Sequence, residues 1–167
     1  MSTTTTTCHP VAAPLAMMFT INDGLVSRAL DGLAPHELWH RPNSRNNPIL
    51  WVAGHAVQTR AFVLKMLGEP FDTGWGDLFS RGSALREESA YPSREQIQEV
   101  AHEVNRRLHA AIAALDESQL AKPASGPELP GAKTVADQIG FFALHDSYHV
   151  GQLAYIRKGL GHPALVG

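Results

Sequence analysis

Cysteine is almost absent from this chain: Cys8 is the only one in 167 residues. A single thiol excludes an intrachain disulfide, a cysteine-built metal site and a CxxCH haem attachment. Long hydrophobic runs are missing too. None approaches the ~20 residues needed to cross a bilayer, so no membrane partner is expected. Excess charge is also lacking, because 14 Lys and Arg against 16 Asp and Glu leave a net charge of −2. That balance provides no electrostatic footprint for nucleic acid. The first ten residues, MSTTTTTCHP, have neither the basic start nor the apolar stretch of a signal peptide. They are expected to form a disordered tail over residues 1–10, ahead of one domain over residues 11–167, in a reducing cytoplasm. Tyrosine and tryptophan are scarce, three of each, whereas histidine occurs nine times. Histidine is therefore the residue to follow.

Two histidines stand in "HELWH", residues 36 to 40, a formal match to the H-E-x-x-H zinc-protease signature. That motif requires the middle of a stable helix, where both imidazoles share a face. Here Pro35 precedes it and Pro42 follows, which leaves about one and a half turns at ~3.6 residues each. A protease centre is not expected from it.

Four long helices and no strand are expected. The first covers residues 14–33, with Leu15, Met18, Ile21, Leu25 and Leu30 as its inner stripe. The second covers 48–67 and is stopped by Gly68 and Pro70. The third opens at "PSREQ", where Ser93 and Gln96 form a capping box. Its expected inner stripe is Ile97, Val100, Val104, Leu108, Ala111 and Leu115. The fourth runs from Thr134 to Leu160, stopped by Gly161 and Pro163. Between the second and third lies a long connection, Glu69 to Pro92, containing "GWGDLFSRGS". Connections of that length in a compact domain are binding elements, lids or ordered crossovers. The expected fold class is all-α, a four-helix bundle with a long crossover between helices two and three.

At ~100° per residue, His145 and His149 lie about 40° apart on the fourth helix. Phe141, Phe142, Tyr148, Gln152 and Ile156 share their face. The opposite face, Ala136, Gly140, Ala143, Ser147, Gly151 and Ala154, is small and admits a close neighbour. On the second helix His55 shares an apolar face with Trp51, Thr59, Phe62 and Met66, and the far side is apolar as well. A helix apolar on two faces is central or also meets a second subunit, so a homodimer through helix two or four is expected. One histidine on an apolar face is more often a hydrogen-bonded core residue than a ligand. Three converging ones each need a polar partner, and a divalent ion such as zinc or nickel would satisfy all three. From spacing alone both readings stay open. Asp146, about 100° from His145, is placed to one side as an outer or surface group. A carboxylate-bridged di-iron bundle is excluded, since neither the second nor the fourth helix contains glutamate. His9, His36, His40, His102, His109 and His162 are expected to be solvated.

The stretches "NNPILWVAGHAVQTRAFVLKMLG", "YPSREQI" and "FFALHDSYHVGQLAYIRKGLG" resemble the DinB-like superfamily of helical metalloproteins, with likeness from about Leu15 to Gly161. The resemblance implies a four-helix bundle, often dimeric, with a long crossover after the second helix. It also implies a divalent metal held by His55, His145 and His149. "LAPHELWHRP" then corresponds to a short helical turn between the first two helices. Members include thiol-dependent transferases and isomerases that use glutathione, bacillithiol or mycothiol. The expected function is accordingly a metal-dependent enzyme of that type, with a low-molecular-weight thiol as cosubstrate and a small molecule as substrate. The alternatives are a non-catalytic stress-response or small-molecule-binding bundle, and a metal-dependent hydrolase. Trp51, Tyr148, Gln152 and Trp75 are the candidate substrate contacts. Asp77 is the candidate fourth ligand that would close the site.

Overall fold

In the computed structural model residues 8–166 are described, and the threonine run of the expected tail lies outside them. Cys8 and His9 are half-buried. His9 already serves the first helix: its carbonyl accepts from the amides of Ala12 and Ala13 at 2.8 and 2.9 Å. Six α-helices follow: α1 Ala12–Leu30, α2 Pro35–Leu38, α3 Ile49–Met66, α4 Arg94–Ala113, α5 Glu117–Leu120 and α6 Val135–Gly159. A 3-10 turn at Glu88–Ala90 interrupts the connection between α3 and α4. Among the described residues no helix is long and apolar enough to cross a membrane.

The long helices begin and end where local chemistry dictates. Ser93 Oγ accepts from the Gln96 amide at 3.2 Å, and the Gln96 side chain accepts from the Ser93 amide at 2.8 Å. Thr134 and Asp137 make the same reciprocal pair at the start of α6. Such a box satisfies two of the four amides that a helix start otherwise leaves unpaired. At the far end of α6, Gly161 takes φ +89°, a left-handed conformation that only glycine adopts without cost.

The long helices form a ring in which α1 and α3 each pack between α4 and α6. Contacts of Leu15 with the Gly140 position, Asn22 with Ser147 and Ala29 with Arg157 advance together, so α1 and α6 run parallel. The pairs Phe62–Phe142 and Arg60–Asp146 run in opposite order, making α3 antiparallel to α6. Consecutive long helices α1 and α3 are thus diagonal neighbours, and the chain from Leu67 to Ser93 crosses over before α4. This is a four-helix bundle with a long crossover.

Two inner stripes differ from the sequence expectation. On α1 the core residues are Ala12, Ala16, Phe19, Val26, Ala29 and Leu30, with Leu25, whereas Ile21 is 53% exposed. On α4 they are Ile97, Ala101, Val104, Leu108 and Ile112, with Val100, Ala111 and Leu115 at the margin. Both shifts have one cause. A helix wedged between two neighbours is buried along the line between them; on α1 alanines fill much of that line, and on α4 it runs one residue on from Val100 and Ala111, through Ala101 and Ile112. α3 is buried nearly all round, from Ile49 to Leu64, so it forms the centre of the core.

The crossover is ordered by its aromatic side chains. Phe79 is fully buried among Trp51, Trp75 and Tyr91, with ring centroids 6.5, 5.1 and 5.5 Å away. Its ring lies against Gly54 of α3, where an added Cβ would meet it at 2.3 Å. No side chain other than hydrogen fits there.

Candidate metal centre

The seating of Phe79 carries a consequence one residue away. Phe79 and Leu78 present consecutive carbonyls to α3, and two side chains one turn apart reach them. Trp51 Nε1–H donates to Leu78 O at 3.0 Å, and His55 Nδ1 lies 2.6 Å from Phe79 O. A carbonyl can only accept, so Nδ1 of His55 carries the proton and Nε2 keeps its lone pair. Trp51 stacks on the imidazole, 5.0 Å between centroids and 9° between planes, which fixes the ring's orientation.

From α6 two further imidazoles meet it. The His55 ring centroid is 4.7 Å from that of His149 and 5.5 Å from that of His145. His149 Nδ1–H donates to Gln152 Oε1 at 2.7 Å, and Gln152 in turn donates to the Tyr148 hydroxyl at 3.2 Å. This chain leaves Nε2 of His149 as its free acceptor, 3.2 Å from Nε2 of His145. Nδ1 of His145 is buried without a hydrogen-bond partner. One ring nitrogen from each histidine lies within 4.8 Å of the other two. Ligand nitrogens at ~2.0–2.1 Å from a tetrahedral ion are about 3.3 Å apart, so the donor set fits a divalent cation.

The environment keeps all three rings neutral. Burial lowers the pKa of His55, against the hydrogen bond to Phe79. Burial, then the neighbouring His55, lowers that of His145, against the negative charge of Asp146, with Arg81 a smaller influence in the lowering direction. Burial brings His149 down to about 4. Neutral imidazole is the form that ligates metal.

Two clefts open on this cluster. One of about 750 Å³ lies beside His149, with Trp51, Tyr148 and Gln152 on its wall and Arg45 and three asparagines at its rim. The other, about 410 Å³, is reached from His55 and His145. Neither is lined by aspartate or glutamate.

Of the residues singled out from the sequence, His55, His145 and His149 come together, with Trp51, Tyr148 and Gln152 beside them. Trp75 does not join them. It is buried against Phe79 and borders a separate hollow with Leu78 and Tyr91. Asp77 is not at the cluster either; its side chain is 69% exposed and pairs with Arg86. In the HELWH segment His36 and His40 are exposed. Glu37 is used by the four-residue α2, where it accepts from the Ala34 amide at 2.7 Å and pairs with His162 at 3.0 Å. His162 is thereby a structural partner rather than a solvated residue.

Asp146 requires the larger correction. It is not an outer group: it is 1% exposed and holds Arg60 of α3 through two bonds, 3.0 and 3.1 Å. Arg60 also donates to Asp23 of α1 at 2.6 Å. This buried triad joins three helices directly behind the histidines. Sequence reasoning missed it because a lone arginine in an apolar helix does not name its partner 86 residues away. The arginine itself was the available signal, since a charge on a helix buried all round must be paired.

No curated protein matches the chain by sequence. Among solved structures, it is similar to YfiT from Bacillus subtilis, described as a probable metal-dependent hydrolase with an unusual four-helix bundle topology. The TM-score is 0.70 at 13% sequence identity, covering 91% of this chain and 89% of that one. At that identity the likeness is one of fold. The family model of the DinB superfamily matches residues 19–153, which include all three clustered histidines and most of the bundle, and the chain belongs to that superfamily.

Proposed function

We propose that this chain is a divalent-metal-dependent enzyme in which His55, His145 and His149 hold one zinc or nickel ion. The observation that carries the reading is the convergence of three neutral imidazoles from two helices, with Nδ1 of His55 and His149 tied back so that Nε2 faces inward. Three protein ligands leave a coordination position for a small molecule, whereas structural zinc is closed by four. When bound, the ion would lower the pKa of the ligand in that position and favour its anionic form.

Thiol-dependent transfer or isomerisation is the reaction class we favour, with a low-molecular-weight thiol as cosubstrate. Its support is the absence of carboxylate from both clefts and the commitment of Asp146 to Arg60. A thiol ionises near neutral pH with little help, whereas a water-attack mechanism commonly uses a side-chain base. The chain's own part is then positional. Phe79 and Gln152 hold the imidazole protons away from the ion, Trp51 fixes the ring of His55, and the phenylalanines of the smaller cleft exclude water from the electrophile. Hydrolysis is the second reading, favoured by the likeness to YfiT.

Elemental analysis of untagged protein tests the first step. About one zinc or nickel per chain is expected, lost in His55→Ala and His149→Ala and retained in a His36→Ala/His40→Ala double variant. A wild type that takes up neither ion overturns the reading. Cobalt substitution separates the two reaction classes. Adding glutathione should produce a thiolate-to-cobalt charge-transfer band under the first reading, and no such band under the second.

We also infer that two copies pair through α6 and α1, which expose Leu144, Tyr155, Met17 and Ile21. Sedimentation of Leu144→Glu should show a monomer where the wild type sediments as a dimer.

A further inference from the structure

The smaller of the two clefts has a composition that specifies its occupant. Its walls are Phe62, Phe79, Phe141 and Phe142, its floor is the imidazoles of His55 and His145, and one formally charged residue stands on it, Arg81. No acidic side chain lines the cleft. Among the described residues Arg81 makes no ion pair and no side-chain hydrogen bond. Arg81 is exposed, whereas Arg60 of α3 is bound by Asp146 and Asp23, and Arg86 of the crossover by Asp77. Arg81 follows Phe79 by two residues, so the contact that seats Phe79 on Gly54 also places Arg81 at the cleft.

We propose that this cleft binds an apolar molecule carrying one carboxylate, with Arg81 as the residue that receives the carboxylate. The inference rests on the reading of the histidine cluster as the reactive centre, because the cleft ends on that cluster. Two physical arguments carry it. A guanidinium presents a planar fork of donors that matches a carboxylate in two parallel bonds, and charge-assisted bonds of this kind are about twice as strong as neutral ones. The phenylalanines meanwhile remove apolar surface from water, and the polar groups beside them, Gln58, Thr59 and Ser80, are neutral, so none competes as an anion for Arg81. The cleft's volume, about 410 Å³, is the size of a small-molecule site. The larger cleft has a different character. It too has an apolar wall, from Trp51, Tyr155 and Ile156, but asparagines 43, 46 and 47 stand beside Arg45, so an anion there would share its contacts with several neutral amides.

The probe pair is 4-phenylbutyrate and 4-phenylbutyramide, equal in shape and different in charge. Each is titrated calorimetrically into wild type, Arg81→Gln and Arg45→Gln, first with metal-stripped protein and then with zinc-loaded protein. In stripped wild type the acid should bind at least about tenfold more tightly than the amide, the scale of one charge-assisted bidentate contact. The preference should vanish in Arg81→Gln and survive in Arg45→Gln. Equal binding of the two probes, no binding of either, or a preference that follows Arg45 overturns the proposal. So does a preference that appears only with zinc and persists in Arg81→Gln, since the ion and not the arginine would then hold the anion. Metal content of the same samples reports on the histidine cluster independently of either probe.

Discussion

Replacing Asp146 by alanine removes the acceptor of two bonds from a guanidinium that is 1% exposed. Asp23 keeps its single bond to Arg60, so the charge is not wholly abandoned. Breaking a buried ion pair from one side costs ~3–5 kcal/mol, and the surviving partner brings the expected loss toward the lower end, about 3 kcal/mol. With a urea m-value of about 2 kcal/mol/M, the unfolding midpoint should fall by roughly 1.5 M. The change should reach the metal as well. Asp146 lies between His145 and His149 on α6, and Arg60 follows His55 by five residues on α3. The pair therefore clamps the two helices at the level of the three imidazoles. Zinc affinity should weaken together with stability in Asp146→Ala. In a triple variant, Arg60→Met with Asp146→Leu and Asp23→Asn, no member of the triad is left charged and unpaired, and stability should return to within about 1 kcal/mol of wild type. Urea unfolding of the metal-free proteins and competition with a chromophoric zinc chelator provide both numbers. Asp146→Ala destabilised by less than about 1 kcal/mol would refute the reasoning, because a buried guanidinium left with one of its three carboxylate bonds cannot cost so little.

Gln152→Leu should weaken zinc binding by about tenfold or more while leaving the fold intact, since it removes the acceptor that orients His149. Chelator competition reads the first effect and circular dichroism the second. Gly54→Ala should cost ~1–3 kcal/mol in chemical unfolding, because the new methyl group displaces the Phe79 ring. The same variant should lower metal affinity, as the Phe79 carbonyl leaves His55. The pH dependence follows from His149, whose folded-state pKa of about 4 lies below the ordinary value of 6.5. Between those two values the unfolded chain binds more protons than the folded one. Stability of the metal-free protein should thus fall as pH drops from about 6.5 toward about 4. A His149→Gln variant should show a flatter profile over that window in urea titrations.

The helix starts at Ser93 and Thr134, the stop at Gly161 and the H-x-x-x-H pair of α6 could all be read from the chain. Each depends on residues within four positions of one another, and local backbone geometry alone sets their relation. The rejection of HELWH had the same basis, two prolines beside a short turn. The convergence of His55 with that pair was an expectation from face and family pattern. Its actual geometry depends on how α3 and α6 pack. What could not be read locally are contacts whose partners are distant in the chain. Arg60 finds Asp146 and Asp23, Phe79 finds Gly54, and a backbone carbonyl with no side-chain signature orients His55. The inner stripe of α1 also shifted toward alanines and that of α4 turned by one residue, to Ala101 and Ile112, because neighbouring helices and not side-chain size determine which line of a helix is buried. Trp75 and Asp77 were drawn away from the site for a related reason. The crossover's path is decided by where its aromatics can be buried, and that surface exists only once the bundle has formed.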